Sequence, residues 1–210
     1  TVPGSGDGWV VRLDAGGNIL WQYALGGPGY DELLGAAQAG DGGFFLAGYT
    51  FSSGAGGSDL WLVKLSSNGA LEWQRTYGGP LYEGASFTLQ VRSTSDGGCV
   101  LVSAGESPDP AGIEESELWI LKVTGPGRLE WAYAYGGGGL DYGFCVQEAA
   151  NGDFLVAGMT GSFGAGGSDC WILRLDSRGR SVWQEALGGP GRIAPTGCGR
   201  PPTGISWSSA

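Results

Sequence analysis

Histidine is absent from this 210-residue chain, and that absence removes several kinds of chemistry at once. Without it there can be no Ser-His-Asp triad, no Cys-His nucleophile pair and no histidine metal ligand. Basic residues are also scarce, with 11 Lys and Arg against 21 Asp and Glu and a net charge of −10. Nucleic acid and anionic membrane surfaces require clustered basic residues, so we expect neither as a partner.

Long apolar runs and a targeting segment are missing as well. No stretch of about 18 apolar residues occurs, so we expect no membrane insertion. The chain begins TVPGSGDGW, with neither an initiator methionine nor a signal peptide. We therefore expect it to be an internal piece of a longer protein.

Glycine, in contrast, accounts for 44 of the 210 residues. These glycines have no three-residue period and lie among Trp, Leu, Val and Phe, which argues against collagen and against a flexible linker. The chain also contains nine tryptophans. Glycine and tryptophan in this combination predict many tight turns that join short strands.

Three independent markers recur along the chain in one register. Successive copies of each marker are separated by 52, 58 and 52 residues. An internal repeat of this length indicates a fold made of stacked, similar units. The markers are Trp9, Trp61, Trp119 and Trp171; Trp21, Trp73, Trp131 and Trp183; and glycine pairs that begin at Gly26, Gly78, Gly136 and Gly188.

Each unit contains four strand-length runs bounded by turn residues. In DLWLVKL, Trp61, Val63 and Leu65 alternate with their neighbours, as expected for a strand. Asn68-Gly69 joins that run to the next and is a strong hairpin signal. Four antiparallel strands in about 52 residues form one blade of a β-propeller. The predicted fold class is therefore all-β, a propeller of four-stranded antiparallel blades.

The repeat resembles a family of bacterial and archaeal propeller repeats. The shared pattern is DGGFxLAGxT, then GAGGSDxWxxKL, then GxxxW, and it covers residues 7–190, most clearly in SGAGGSDLWLVKL at 53–65 and FGAGGSDCWILRL at 163–175. The middle copy departs from it, with Glu117 in place of the aspartate. The resemblance implies a large secreted or cell-surface protein, and hence an extracellular or cell-surface location. It implies little about activity.

The repeat boundaries predict an incomplete propeller with three full blades. Residues 1–29 supply the last two strands of a partial blade, and residues 30–79, 80–137 and 138–190 are whole blades, the second with two short insertions. Residues 191–210 lose the strand pattern and are predicted to be a frameshifted start of the next blade. Closing the ring then requires the remaining blades of the same protein. A chain with open ends is expected to be poorly soluble or to associate.

The recurring acids are the only candidates for chemistry. Asp7, Asp59, Glu117 and Asp169 occur once per unit, and an active site is needed once whereas a turn is needed in every unit. This favours turn capping, so we predict no catalytic residue and no cofactor. The alternative is calcium at Asp59 and Asp169, because carboxylate, hydroxyl and glycine carbonyl oxygens suit a hard cation.

The four cysteines, in contrast, do not recur at matching positions of the repeat. Cys99, Cys145, Cys170 and Cys198 are therefore interpreted as small buried hydrophobic residues, with one disulfide as the alternative.

Three functions fit these observations. The favoured one is a non-catalytic scaffold or adhesion module that binds a protein or a glycan. The alternatives are the propeller of a secreted polysaccharide-acting enzyme whose catalytic residues lie elsewhere, and an architectural spacer. The most divergent loop, Glu106 to Glu117, is the best candidate for a specific contact. The simpler interpretation of that loop is a solvent-exposed segment that has drifted in sequence.

Overall fold

The structure is a computed structural model that describes residues 6–79, 89–108 and 114–191, without the side chains of 106–108 and 114–116. These residues form fourteen strands and no helix. The strands are β1 Gly8–Leu13, β2 Ile19–Leu25, β3 Asp31–Gln38, β4 Phe44–Thr50, β5 Asp59–Leu65, β6 Leu71–Tyr77, β7 Leu89–Ser93, β8 Cys99–Pro108, β9 Glu114–Val123, β10 Leu129–Tyr135, β11 Asp141–Glu148, β12 Phe154–Thr160, β13 Asp169–Leu175 and β14 Ser181–Leu187.

The strands form four antiparallel sheets that follow one another along the chain. Sheet I contains β1 and β2, sheet II β3 to β6, sheet III β7 to β10 and sheet IV β11 to β14. In sheets II to IV each strand pairs with the next one along the chain, through turns such as Ser66–Gly69. The predicted all-β class with four-stranded antiparallel units is confirmed. The predicted frameshift beyond residue 191 lies outside the described residues.

None of the described residues belongs to a helix long and apolar enough to cross a membrane.

The sheets pack face to face, and three apolar clusters lie between successive sheets. Here the face of a sheet toward its predecessor is its front face and the opposite one its back face. Between sheets I and II the cluster contains Trp61, Val63 and Leu65 with Val10 and Trp21. The clusters between sheets II and III and between III and IV are built from Phe45, Tyr49, Leu60, Leu62, Val91, Leu101 and Leu121, and from Val100, Leu118, Ile120, Val146, Phe154, Trp171 and Leu173.

The tryptophan of the fourth strand docks on a turn of the next sheet in sheets II and III. Trp73 Nε1 donates to the Gly125 carbonyl at 3.0 Å, and Trp131 Nε1 donates to the Ser177 carbonyl at 3.2 Å. In the second turn Gly179 has a φ of +77°, and a Cβ there would lie 2.8 Å from the Trp131 ring. Glycine is therefore required at this turn for its backbone conformation and for the indole to fit.

A cation at the last-but-one residue of each third strand ties its own sheet together. Lys64 has a side chain only 3% exposed, and its Nζ lies 2.8 Å from Asp41 Oδ2 and 3.1 Å from Glu72 Oε2. In sheet III, Lys122 forms the same pairs with Asp96 and Glu130. Because a buried ammonium needs partners to offset its desolvation, these carboxylates have a structural role.

Stability at acid pH should depend on Asp96. Burial alone would raise the pKa of this carboxyl, but hydrogen bonds from Lys122, Thr94 and the Gly98 N–H lower it to about 2. An unfolded aspartate titrates near pH 3.9, so the stabilisation is complete above about pH 5 and is lost as pH falls through 4 toward 2. Asp96 is half exposed, so we expect about 1 kcal/mol.

The measurement is the free energy of unfolding by urea across this pH range. Asp96→Asn should remove part of the acid-side slope, whereas Glu185→Gln, at an exposed carboxyl outside these pairs, should keep it. Equal slopes in Asp96→Asn and the unmodified chain would contradict this role.

Of the three cysteines that the structure describes, Cys99 agrees with the sequence interpretation, Cys170 agrees only in being free, and Cys145 corrects it. Cys99 is free and buried between sheets II and III, and burial raises the pKa of its thiol to about 12. Cys170 is free and partly exposed. Cys145, however, is disulfide-bonded, so its interpretation as a buried free thiol is wrong and the disulfide alternative is correct.

Candidate functional site

Two sheets carry a row of polar side chains at the same end. In each row an aspartate on the first strand is in register with a threonine on the second, which is in register with an aspartate on the third. All six side chains are buried. These two carboxylate rows are Asp31–Thr50–Asp59 in sheet II and Asp141–Thr160–Asp169 in sheet IV.

Asp31 connects the loop before sheet II to the end of β4. Its Oδ2 accepts from the Gly27 N–H at 2.7 Å and from Ser52 Oγ at 2.6 Å, and its Oδ1 accepts from Thr50 Oγ1. Ser52 Oγ in turn accepts from the Gly29 N–H at 2.8 Å. The buried carboxylate is thus compensated by one backbone and two hydroxyl donors.

Asp141 repeats the glycine and serine part of this arrangement at the start of sheet IV. Its Oδ2 accepts from the Gly137 N–H at 3.1 Å and from Ser162 Oγ at 2.6 Å. Ser162 Oγ accepts from the Gly139 N–H at 3.0 Å. The glycine and serine donors recur in the same order on two sheets, whereas Asp141 Oδ1 has no described counterpart of the Thr50 hydrogen bond to Asp31 Oδ1. The recurrence indicates that this shared part of the network builds the connection between sheets.

The calcium candidates Asp59 and Asp169 lie on different sheets and are not brought together. Each closes its own glycine-rich loop, because Asp59 Oδ2 accepts from the Ala55 N–H at 3.1 Å and Asp169 Oδ2 from the Ala165 N–H at 2.7 Å. Over residues 6–79, 89–108 and 114–191, no group of three or more His, Cys, Asp or Glu is placed to hold a metal. Calcium at these two aspartates stays a prediction.

A pair of carboxylates from consecutive sheets was not predicted. A Cβ on Gly26 would lie 2.7 Å from Asp31 Oδ2 and 2.8 Å from Asp7 Oδ1, so both side chains face this glycine. Asp7 Oδ1 is buried and accepts no hydrogen bond from the part of the chain described, nor do Oδ1 of Asp141 and Asp169. Such atoms can accept from an ordered water or coordinate a hard cation. Repeat spacing shows which strand carries a residue but not which neighbour it meets.

The β8–β9 hairpin departs from the repeat. Its strands have ten residues each, whereas the corresponding strands of sheets II and IV have seven. Pairing continues past Gly105–Glu117 as far as Pro108–Glu114. The interpretation of Glu106 to Glu117 as a solvent loop is therefore wrong for its two ends, which are paired strand, while residues 109–113 lie outside the described chain. The sequence of this protruding hairpin contains Glu106, Glu114, Glu115 and Glu117.

A shallow depression lies beside Trp61. It has a volume of about 330 Å³ and is lined by Ser53, Trp61, Gln74, Arg75 and Thr76. Trp61 Nε1 donates to Gln74 Oε1 at 3.3 Å, and the indole itself is 4% exposed. With so little ring exposed, the depression offers no aromatic surface on which a sugar or base could stack.

Comparisons with known proteins add little to this geometry. No family model and no curated protein matches the chain. The alignment with a protein of unknown function from Bacteroides caccae spans 89% of this chain and 92% of that protein, with 13% sequence identity and a TM-score of 0.32. The alignment with an ACO/RPE65 chimera spans 86% of this chain and 44% of the chimera, with 14% sequence identity and a TM-score of 0.47. At these scores neither likeness supports an argument about fold or function.

Proposed function

We propose that the four sheets are blades of a β-propeller and that the chain is a non-catalytic module of a secreted or cell-surface protein that binds a protein or a glycan. The observation that carries this proposal is the duplicated network at Asp31 and Asp141. Asp31 and Asp141 are buried and accept equivalent hydrogen bonds on two sheets, so their role is structural, which supports a scaffold function. The disulfide at Cys145 supports an oxidising, extracellular location.

The protruding hairpin is the proposed contact surface. Residues that recur on every sheet serve the repeat, whereas this extension belongs to sheet III alone among the sheets described. Its backbone is held by paired strands up to Pro108 and Glu114, which gives a binding segment a rigid base. The acidic sequence there and the net charge of −10 favour neutral or amine-bearing ligands over anionic ones.

A loop graft tests this proposal. Replacing residues 106–116 with residues 51–58 of sheet II shortens β8 and β9 to the length of β4 and β5 and removes the extension. The probes are a printed array of neutral and amino-sugar glycans and a set of basic proteins. We expect the unmodified chain to bind a subset of them and the graft to lose that binding while keeping its thermal unfolding midpoint.

A graft between sheets II and IV is the matched control. In this control, residues 51–58 are replaced with the corresponding residues of sheet IV, 161–168. The two loops have equal length and share the GAGGS sequence, so binding should be unchanged. Equal binding by both grafts would place the contact elsewhere. Release of reducing ends from a bound glycan would instead support the enzymatic alternative and overturn a non-catalytic module.

A further inference from the structure

The front face of sheet I is uncovered at positions that are buried in the other sheets. Trp9 is 64% exposed, whereas its counterparts Trp61 and Trp171 are 4% and 1% exposed. Leu13 is 51% exposed, and its counterparts Leu65 and Leu175 are buried. The sequence thus builds on sheet I an apolar face of the kind that packs against a preceding sheet.

The back face of sheet IV is uncovered in the same way. Leu155 is 40% exposed, whereas the corresponding Phe45 and Val100 are fully buried beneath the following sheet. The cation on this face is also uncovered: the Arg174 side chain is 42% exposed, whereas the side chain of its counterpart Lys64 is 3% exposed. Sheet IV therefore presents the type of surface that covers a front face.

The docking turn of sheet I is also unoccupied among the described residues. Gly69 and Gly179 have Trp21 and Trp131 against them, but a Cβ on Gly17 would meet nothing within 4 Å. Gly17 has the φ of +82° typical of these turns. At the other end Trp183, which corresponds to Trp131, is 42% exposed. Among the described sheets, sheet IV thus has a free docking tryptophan and sheet I a free docking turn, at opposite ends of the series.

We propose that these two ends bind each other between copies of this chain, so that sheet IV of one copy packs its back face on the front face of sheet I of a second copy. Trp183 then docks on the Gly17 turn, with Nε1 donating to the carbonyl of Ala15, the residue equivalent to Ser177. A second copy is the occupant that the structure supports, because front-to-back packing of these same positions already occurs three times within the chain. Front-to-front packing occurs nowhere among the described sheets.

Such a contact is heterologous, since each copy uses two different surfaces. It leaves a free face at both ends of any open assembly and ends growth only if the copies close into a ring. A variant that loses one face still has the other. This property distinguishes head-to-tail packing from association through one apolar surface that is used by both copies.

The test uses one variant for each face. Trp9→Asp places a charge on the front face of sheet I, and Trp183→Asp places one on the back face of sheet IV. Both sites are exposed, so the circular dichroism spectra and unfolding midpoints of the two isolated variants should match each other. In analytical ultracentrifugation the unmodified chain should form species of at least twice the monomer mass as concentration rises. Each variant alone should stay monomeric, and an equimolar mixture should form a one-to-one dimer that grows no further.

Alkylation of Cys170 provides a second measurement. This free thiol is partly exposed and is paired in register with Leu187 on the back-face side of sheet IV. In the mixture, mass spectrometry should show slower alkylation of Cys170 in the Trp9→Asp chain, whose back face is bound, and unchanged alkylation in the Trp183→Asp chain. A monomeric unmodified chain, self-association of either variant alone, or a mixture that stays monomeric would each overturn the proposal.

Discussion

Replacing Trp171 with alanine is expected to lower the free energy of unfolding by about 3–5 kcal/mol, the range for removing a large aromatic side chain from a core. Trp171 is 1% exposed and lies in the cluster between sheets III and IV, against Phe163 at a ring-centroid distance of 5.8 Å. The cavity would open where two sheets meet, so neither sheet can close it without moving. Urea unfolding monitored by circular dichroism measures the change.

Trp9→Ala is the matched control, because Trp9 occupies the same repeat position on sheet I and is 64% exposed. Both substitutions are made in Trp183→Asp chains, which removes the back face from any association between copies. In that background Trp9→Ala should change the free energy of unfolding by less than about 0.5 kcal/mol. Similar losses at both positions would show that the tryptophans matter within their own sheets and not between sheets.

The contrast between these two tryptophans shows what a repeat can predict. Alternation around Trp61 and the turn at Asn68-Gly69 was enough to place the strands, because both signals are local. Recurrence of the pattern also indicated a surface common to all sheets. It could not indicate that Trp9 is exposed, since exposure depends on which neighbouring sheet is present.

Contacts between distant residues were beyond the sequence for a related reason. Lys64 fits the alternation of its strand, yet nothing local indicates that Asp41 and Glu72 enclose its ammonium group. The pairing of Asp7 with Asp31 across Gly26 also requires the packing of sheet I on sheet II. The disulfide at Cys145 belongs to this class as well, because none of the cysteines recurs with the repeat.

Departures from the repeat proved harder to interpret than the repeat itself. Residues 106–117 lack the GAGGSD sequence, and their divergence alone favours a solvent-exposed segment that has drifted in sequence. Backbone pairing continues through both ends of this segment because strand pairing needs donors and acceptors and does not need the consensus side chains. A segment that diverges in sequence while it extends a sheet is a better candidate for binding than a loop of the same composition, since less order must be gained on contact.

The turn glycines give the second large effect. Gly179→Ala is expected to lower the free energy of unfolding by about 2–4 kcal/mol. A left-handed backbone costs an alanine about 1 kcal/mol, and displacing packed side chains costs about 1–3 kcal/mol more. The new Cβ would lie 2.8 Å from both the Trp131 and Tyr133 rings, and Tyr135 donates its hydroxyl hydrogen to the carbonyl of this same glycine. Urea unfolding again measures the loss, with the same Trp183→Asp background.

Gly17→Ala separates the two contributions, because Gly17 has nearly the same φ, +82° against +77°, and open space where the Cβ would be. In the Trp183→Asp background, where no tryptophan of another copy can dock on this turn, it should cost only the backbone share, about 1 kcal/mol. The difference between the two substitutions then measures how tightly an indole is held by the next sheet's turn. Equal losses would mean that backbone conformation alone requires glycine there, and that the indole contact adds no stability.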